Sequence, residues 1–194
     1  MSLLNNAKTI GGIGALLIIL GLVPSIGPIL GIIGFILVFV AVKYISDETK
    51  DKSIFNNFLY FFITAIVAIV VSISILTIAF LEAGGMSYIM ELQNLAYTDP
   101  TAVWNAIQPV LPGIIAALAA LWILLLISVI FLRKSYDKIG ELTKVKWFNT
   151  TALLLLIGAA TLIIVIGFLI ILVGLVLEII AFFSLPDKLP NTKE

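Results

Sequence analysis

Two prolines interrupt the first long apolar stretch of the chain, and they constrain the fold more than any other feature. The stretch covers residues 10–42, about 33 residues, whereas one helix needs only about 20 to cross the hydrocarbon core of a bilayer. Pro24 and Pro28 both lack a backbone N–H donor, and together they bound the turn-forming segment PSIGP. We therefore predict a tight helical hairpin, with helices over 8–23 and 28–46.

The composition indicates a membrane protein along its whole length. Apolar residues make up 62% of the chain, charged residues 11%, and the mean hydropathy is +1.25, whereas soluble proteins are about half apolar and about a quarter charged. No stretch is long enough for a separate soluble domain, so we predict one transmembrane domain over 1–194 and a multi-pass location in the cell membrane. The zero net charge argues against a nucleic-acid partner.

The chain contains neither cysteine nor histidine. Without cysteine it has no disulfide, no thiolate nucleophile and no iron–sulfur ligation. Without histidine it lacks the commonest metal ligand and the usual base of a catalytic serine. We therefore predict no metal, no cofactor and no enzymatic activity.

The remaining apolar stretches complete a six-helix, all-α architecture. The last stretch, 148–185, is again too long for one helix, and we place its turn near Thr161 to Gly167. Hairpins 1–2 and 5–6 then flank helices 3 and 4. The predicted spans after the first hairpin are 54–81, 109–132, 148–162 and 166–185.

The positions of lysine and arginine give the orientation. In the six-span arrangement all 11 basic residues fall on one side, which the positive-inside rule assigns to the cytoplasm, together with both chain termini. An outer loop over 84–108 carries only acidic charges, and an inner loop over 133–147 is basic. An arrangement in which the first and last hairpins are re-entrant would divide the charges in the same way, so both topologies stay open.

Glu178 is the one acidic residue within an apolar span, and a carboxylate at that depth is costly unless it is paired, protonated or facing water. A weak repeat relates the two hairpins: Gly21 aligns with Gly158, and Gly31 with Gly167. This register places Glu178 beside the counterpart of Lys43. We predict a structural ion pair between Glu178 and Lys43, and the alternative is a proton or cation relay.

Other polar residues have a structural and a functional interpretation. Asn56 and Asn57 begin the third span, where asparagine commonly caps a helix, although the two amides could also coordinate a ligand. Glycines in the first and second spans permit close helix packing, in a monomer or in an oligomer. Basic residues of the inner loop fix orientation or contact lipid headgroups; they are Arg133, Lys134, Lys138, Lys144 and Lys146.

The outer loop is predicted to form two short helices. Asp99 precedes Pro100, which is the pattern of an N-cap followed by proline at the first helical position. Tyr88, Tyr97 and Trp104 are residue types that favour the headgroup layer. The helices either lie on the outer surface or serve as a lid or a docking surface for another subunit.

Three stretches together resemble a mainly archaeal membrane family called domain of unknown function 996. They are AKTIGGIGALLIILG (7–21), AVKYISDETKDKSIFNNFLYFFI (41–63) and GFLIILVGLVLEIIAFFSLPD (167–187). The resemblance implies a polytopic α-helical protein. It implies no reaction or substrate, so no functional residue is carried over.

The sequence favours a non-enzymatic structural or accessory component of a membrane assembly, packed in the lipid bilayer against itself or a larger complex. The absence of catalytic residue types and the glycine-rich helices support this interpretation. The alternative is a small transporter or channel for an ion or small solute, with Glu178 and Lys43 at the inner mouth of its pathway. A lipid-processing enzyme would need paired carboxylates or a metal cluster, and the sequence offers neither.

Overall fold

The computed structural model describes residues 2–99 and 101–190, and these residues form eight α-helices and one 3-10 turn. The helices are α1 (Leu3–Leu20), α2 (Gly27–Thr49), α3 (Lys52–Glu82), α4 (Met86–Thr98), α5 (Ala102–Ile107), α6 (Leu111–Thr143), α7 (Trp147–Ala160) and α8 (Ile166–Phe183), with the 3-10 turn at Leu162–Ile164. The predicted all-α class is confirmed for this part of the chain.

Five helices are long and apolar enough to cross a membrane: α1, α2, α3, α6 and α8. The sixth predicted span corresponds to α7, which has only 14 residues. At 1.5 Å per residue α7 is about 21 Å long, and the 3-10 turn that follows extends it. The coarse prediction of a multi-pass helical membrane protein is therefore supported, while α7 is shorter than an ordinary span.

Both predicted hairpin turns are present. The second lies between Ala160 and Ile166, as expected. The first lies at residues 21–26, so the prediction of a first helix continuing to residue 23 was wrong by three residues. Pro28 sits in the first turn of α2, where its missing N–H donor costs no helical hydrogen bond.

The predicted inner loop over 133–147 is mostly helical, which corrects the sequence prediction. Helix α6 continues through the charged segment to Thr143, and only residues 144–146 connect it to α7. The pairs Arg133–Asp137 and Lys138–Glu141, spaced at i,i+4 and i,i+3, support these last turns of α6.

The chain divides into two compact units, one made of residues 2–63 and 126–190 and the other of residues 64–125. In the first unit, α1 packs against α2 and α8, and α7 packs against α8. The N-terminal end of α1 contacts the ends of both hairpins: the Leu3 N–H donates to Glu48 (3.0 Å), and the Ser2 hydroxyl donates to the Asp187 carbonyl. We call this end of the first unit the terminal end.

Glycines bring the hairpin helices into backbone contact. A Cβ at Gly34 would lie 2.5 Å from the Gly14 carbonyl oxygen, and a Cβ at Gly167 would lie 2.2 Å from the Gly158 carbonyl oxygen. Real Cβ atoms do not approach so closely, so these positions need glycine. Close approach of this kind is how helices associate where water supplies no hydrophobic driving force.

The two hairpins are copies of one another, and the structure gives their register. Gly27 contacts the Gly21 carbonyl just as Gly167 contacts the Gly158 carbonyl. Ser25 and Val165, each two residues before the glycine, both have positive φ, at 74° and 65°.

Along α2 and α8 the buried positions then coincide at an offset of 140 residues. The matching pairs are Gly34 with Gly174, Val38 with Glu178, Ala41 with Ala181, Val42 with Phe182, and Ile45 with Leu185. The predicted match of Gly31 with Gly167 was therefore wrong by four residues, about one helical turn.

The second unit contains residues 64–82 of α3 and residues 111–125 of α6 together with α4 and α5. Tyr88 of α4 donates its hydroxyl to the Ala106 carbonyl of α5 and packs against Phe80. The Asp99 carboxylate accepts from the N–H groups of Thr101 (3.1 Å) and Ala102 (3.3 Å). The second short helix begins at Ala102 with Thr101 at its N-cap position, two residues later than the predicted cap at Asp99. The predicted role of Pro100 and the side chain of Tyr97 lie outside the described residues.

Candidate functional site

The first candidate site is a buried carboxyl group in the interior of the first unit. Glu178 lies on the face of α8 that the glycines turn inward, and only 4% of its surface is exposed. The hydroxyl of Tyr136, on α6, donates a hydrogen bond to Glu178 Oε1. Tyr136 is itself buried, so the two side chains satisfy each other's polar atoms away from solvent.

Aromatic rings from three other helices surround Tyr136. Its ring lies 6.3 Å from Phe58 of α3, 5.4 Å from Phe148 of α7 and 6.5 Å from Phe182 of α8, measured between centroids. A Cβ at Gly11 of α1 would overlap the Phe182 ring, so α1 closes the cluster at that position. Tyr136 therefore joins four helices, and its hydrogen bond fixes the depth at which α8 meets α6.

The predicted ion pair between Lys43 and Glu178 is absent from the structure. Lys43 pairs with Asp47 one turn along α2 and lies 5.4 Å from the centroid of the Phe55 ring. The register of the repeat supplies the physical reason: the counterpart of Glu178 is Val38, which is buried, while Lys43 lies on the exposed side of α2.

Sequence reasoning missed Tyr136 as the partner of Glu178. The residue lies in the charged segment RKSYDK, which we predicted to be a loop, and nothing in that segment predicts a buried position. Continuation of α6 to Thr143 is what turns Tyr136 inward, between Ser135 and Ile139, which also are buried.

Hydroxyl groups of α6 hold α3 against it at two levels. Ser135 donates to the Ile54 carbonyl and Ser128 donates to the Phe61 carbonyl, both at 2.8 Å. On α7, Thr151 is fully buried, and its Oγ1 has no hydrogen-bond partner within the described residues.

The second candidate site is a polar groove at the terminal end, between the first turns of α3 and the last turns of α6. We call it the inner groove. It is lined by Ser53, Asn57, Lys134, Asp137, Lys138 and Glu141.

The inner groove brings together three of the sequence-predicted site residues, namely Asn57, Lys134 and Lys138. The Asn57 amide donates to the Ser53 carbonyl (2.8 Å), whereas Asn56 is exposed. Arg133 does not line the groove but pairs with Asp137.

Lys144 and Lys146 are exposed in the connection to α7 and lie outside the inner groove. Of the five basic residues predicted to contact headgroups, only Lys134 and Lys138 share a structured site. The headgroup contacts of all five residues remain predictions.

Asp51, just before α3, caps that helix next to the groove. Its carboxylate accepts from the Ser53 N–H (2.9 Å). Hydrogen bonds from the Ser53 side chain and backbone lower the pKa of Asp51 below its usual value. Asp51 is thus the residue that caps the start of α3.

Within residues 2–99 and 101–190, no three acidic side chains come close enough together to hold a metal ion.

Comparison with known proteins identifies relatives over nearly the whole chain. The family described as "Protein of unknown function (DUF996)" matches residues 30–176. An uncharacterized protein of Methanocaldococcus jannaschii is 34% identical over 188 residues, which cover 97% of this chain and 96% of the relative. No solved structure matches the chain. The match to the family spans most of the helical bundle, including Tyr136 and the inner groove but ending before Glu178, and the chain belongs to the DUF996 family.

Proposed function

We propose that the protein is a non-enzymatic structural or accessory component of a membrane assembly. The observation that carries the proposal is that polar side chains in the interior of the bundle form hydrogen bonds between helices. Tyr136 donates to Glu178, while Ser128 and Ser135 donate to carbonyl groups of α3. These groups hold helices together, and a chain without histidine or cysteine has few other residues for catalysis.

The second unit supplies a surface for association. Met86 and Met90 on α4 and Trp104 on α5 are 71%, 64% and 63% exposed. Methionine adapts to varied partners, and tryptophan is enriched where proteins bind one another. We propose that these three side chains, the outer patch, contact another subunit, either a second copy or a different membrane protein.

The proposed topology has six spans, with both termini in the cytoplasm. The hairpin turns at residues 21–26 and 161–165 contain non-helical backbone with exposed residues. Exposed non-helical backbone is not tolerated in hydrocarbon, because its N–H and C=O groups would lack partners. The turns are therefore expected in the headgroup layer opposite the basic residues, and the hairpins then cross the bilayer.

Site-specific crosslinking tests the assembly. A photoreactive amino acid at Trp104 is expected to crosslink to one discrete protein species in native membranes. The same probe at Ile73, which is 57% exposed on α3, serves as the control, because an apolar helix surface of this kind is expected to face lipid. Mass spectrometry of the crosslinked band then distinguishes a second copy from a different protein.

Two outcomes would contradict the proposal. Crosslinking at Trp104 that does not exceed crosslinking at Ile73 would show that the outer patch faces lipid or water. A reconstituted protein that migrates as a monomer and catalyses solute flux would show that the protein acts alone.

Transport is the second candidate function, and the buried carboxyl group of Glu178 is the observation that favours it. Acidic residues inside a helical bundle commonly mark ion or proton pathways. Under this function Glu178→Gln abolishes flux in reconstituted vesicles while the bundle stays folded, because glutamine can still accept a hydrogen bond from Tyr136. Under the structural function, wild-type and Glu178→Gln vesicles leak protons and sodium ions at the same rate as protein-free vesicles.

A further inference from the structure

We propose that the inner groove binds the headgroup of a phospholipid that carries both a phosphate and a primary ammonium, as in phosphatidylethanolamine. The inference requires that the protein lies in a membrane, but it does not require membership of an assembly. Four charged side chains of both signs line the groove beside two neutral polar ones. A zwitterionic headgroup likewise carries one negative and one positive charge close together.

The phosphate part of the site is formed by Lys134 and Lys138. Lys138 pairs with Glu141 at 2.8 Å, whereas Lys134 takes part in no ion pair within the described residues. An ammonium has three N–H donors, so Lys138 keeps donors for a second acceptor. Lys134 is exposed and lies on the membrane side of Lys138 by one helical turn.

The ammonium part of the site is formed by Asp137 and Glu141. The two carboxylates are 42% and 62% exposed at the side chain, and each already accepts one contact from a cation of α6. A carboxylate has about four acceptor positions, so an additional N–H donor can be accommodated. Asn149 of α7 donates to Asp137 Oδ1 (3.0 Å) and holds that carboxylate in place.

An aromatic pair continues the site toward the hydrocarbon. Lys134 Nζ lies 5.4 Å from the centroid of the Phe131 ring, and Phe131 lies 5.5 Å from Tyr60 of α3. Tyr60 is 51% exposed, and aromatic residues with a polar tip favour the boundary between headgroups and acyl chains. Along α6 the charged residues run from Glu141 through Lys138 and Asp137 to Lys134, and Phe131 follows. The end of the site nearest the hydrocarbon therefore passes from a lysine to an aromatic ring, as a lipid passes from its phosphate to its chains.

Lipid retention measured by native mass spectrometry tests the proposal. Wild-type protein is reconstituted in nanodiscs that contain phosphatidylethanolamine, phosphatidylcholine and phosphatidylglycerol in equal amounts, and it is then released into detergent. We expect phosphatidylethanolamine to be retained in preference to the other two. Phosphatidylcholine has the same charges but no N–H donor for the carboxylates, and phosphatidylglycerol lacks the cation.

Two variants test the phosphate part and the ammonium part of the site separately. Lys134→Gln is expected to weaken retention of phosphatidylethanolamine about fivefold, the effect of one lysine at a membrane surface. Glu141→Gln is expected to remove the preference over phosphatidylglycerol while phosphate-dependent retention remains. Lys146→Gln, outside the groove but equally basic, is the matched control and should behave as wild type.

The outcomes that overturn the proposal are specific. Equal retention of the three lipids by wild-type protein, or equal losses for Lys134→Gln and Lys146→Gln, would mean that the basic residues attract headgroups without a site. Displacement of the lipid by soluble phosphoethanolamine at the same concentration would identify a free metabolite as the ligand. Failure to enter nanodiscs would contradict the membrane location instead, so the two failures are distinguishable.

Discussion

At the scale of single residues, the Tyr136–Glu178 hydrogen bond is the contact on which the interior of the first unit depends. Both groups are buried, and within the described residues the hydrogen bond between them is the one that each side chain makes. A buried acceptor that loses its donor costs more than the net value of the bond, because water cannot replace the donor.

Removal of the tyrosine hydroxyl tests this contact. Tyr136→Phe keeps the ring in the aromatic cluster but leaves Glu178 without a donor, so we expect the free energy of unfolding to fall by about 1–2 kcal/mol. Unfolding in mixed detergent micelles measures the change. Tyr60→Phe, with the same chemical change at a ring that is 51% exposed, is the control and should alter stability little. Equal effects of the two substitutions would contradict a special role for Tyr136.

The cap at Asp51 gives a second prediction at this scale. Asp51→Ala removes the acceptor of the Ser53 N–H and should destabilise the protein by about 1 kcal/mol, while Asp51→Asn keeps an acceptor and should cost much less. Because the folded pKa of Asp51 lies below its usual 3.8, the charge-dependent part of this contribution is present above pH 3.8 and is lost as the pH falls through the folded pKa. The free energy of unfolding of wild-type and Asp51→Asn protein, followed between pH 3 and pH 6, measures this charge-dependent part. Parallel pH profiles of the two proteins would refute the role of the Asp51 charge.

At the scale of elements, the glycines of α2 show which helix contacts are tight. Gly34 faces backbone atoms of α1, while a Cβ at Gly31 would meet its nearest atom, the Gly21 Cα, at an ordinary 3.5 Å. Two glycines one turn apart in the same helix therefore have different requirements. Their difference follows from the packing of α1 against α2, which brings backbone atoms of the two helices into tight contact at Gly14 and Gly34.

Alanine substitutions at these two positions form a matched pair. Gly34→Ala should destabilise the protein by about 1–3 kcal/mol, because α1 must move away to admit the methyl group. Gly31→Ala should be neutral or slightly stabilising, since alanine favours the helix more than glycine does. Thermal unfolding of both variants in the same detergent measures the difference. A Gly31→Ala variant that is as unstable as Gly34→Ala would contradict the packing described for the first hairpin.

The repeat of the hairpins is also a property of the elements. Gly21 and Gly158 match as the sequence predicted, but the second turn is three residues longer than the first, as counted from Gly158 to Gly167 and from Gly21 to Gly27. The difference equals the length of the 3-10 turn Leu162–Ile164. Because α2 has glycines at 27, 31 and 34, the sequence permitted more than one register, and only the backbone contacts distinguish them.

At the scale of the whole molecule, the positions of the chain ends bear on topology. Ser2 contacts Asp187, and the α2–α3 corner contacts the first turn of α1 through Glu48. The N-terminus, the α2–α3 corner and the segment after α8 therefore meet at the terminal end.

Single cysteines test the topology, and they are unambiguous because the chain has no cysteine of its own. Lys50→Cys and Lys138→Cys in oriented membrane vesicles should react with an impermeant maleimide from the same side. Glu82→Cys should react from the opposite side. Ser25→Cys in the first hairpin turn should also react from the opposite side if the hairpin crosses fully.

Labelling of Lys50→Cys and Lys138→Cys from different sides would contradict the proposed threading of the chain. A Ser25→Cys variant that reacts only after detergent is added, while Glu82→Cys reacts directly, would show that the hairpin ends inside the bilayer. That second result would leave the multi-pass assignment intact and change the number of full crossings.

The sequence by itself determined the class of the protein and the positions of its main turns, because these depend on local properties: apolar length, proline and glycine in the turns, and the distribution of lysine and arginine. The tertiary structure alone decided which polar groups meet. Glu178 bonds to Tyr136 and not to Lys43 because the continuation of α6 through a charged segment turns Tyr136 inward, and because Lys43 lies on the exposed side of α2. Which face of a helix is buried is decided by its packing in three dimensions, and hydrophobic residues on every side of these helices give the sequence little information about it.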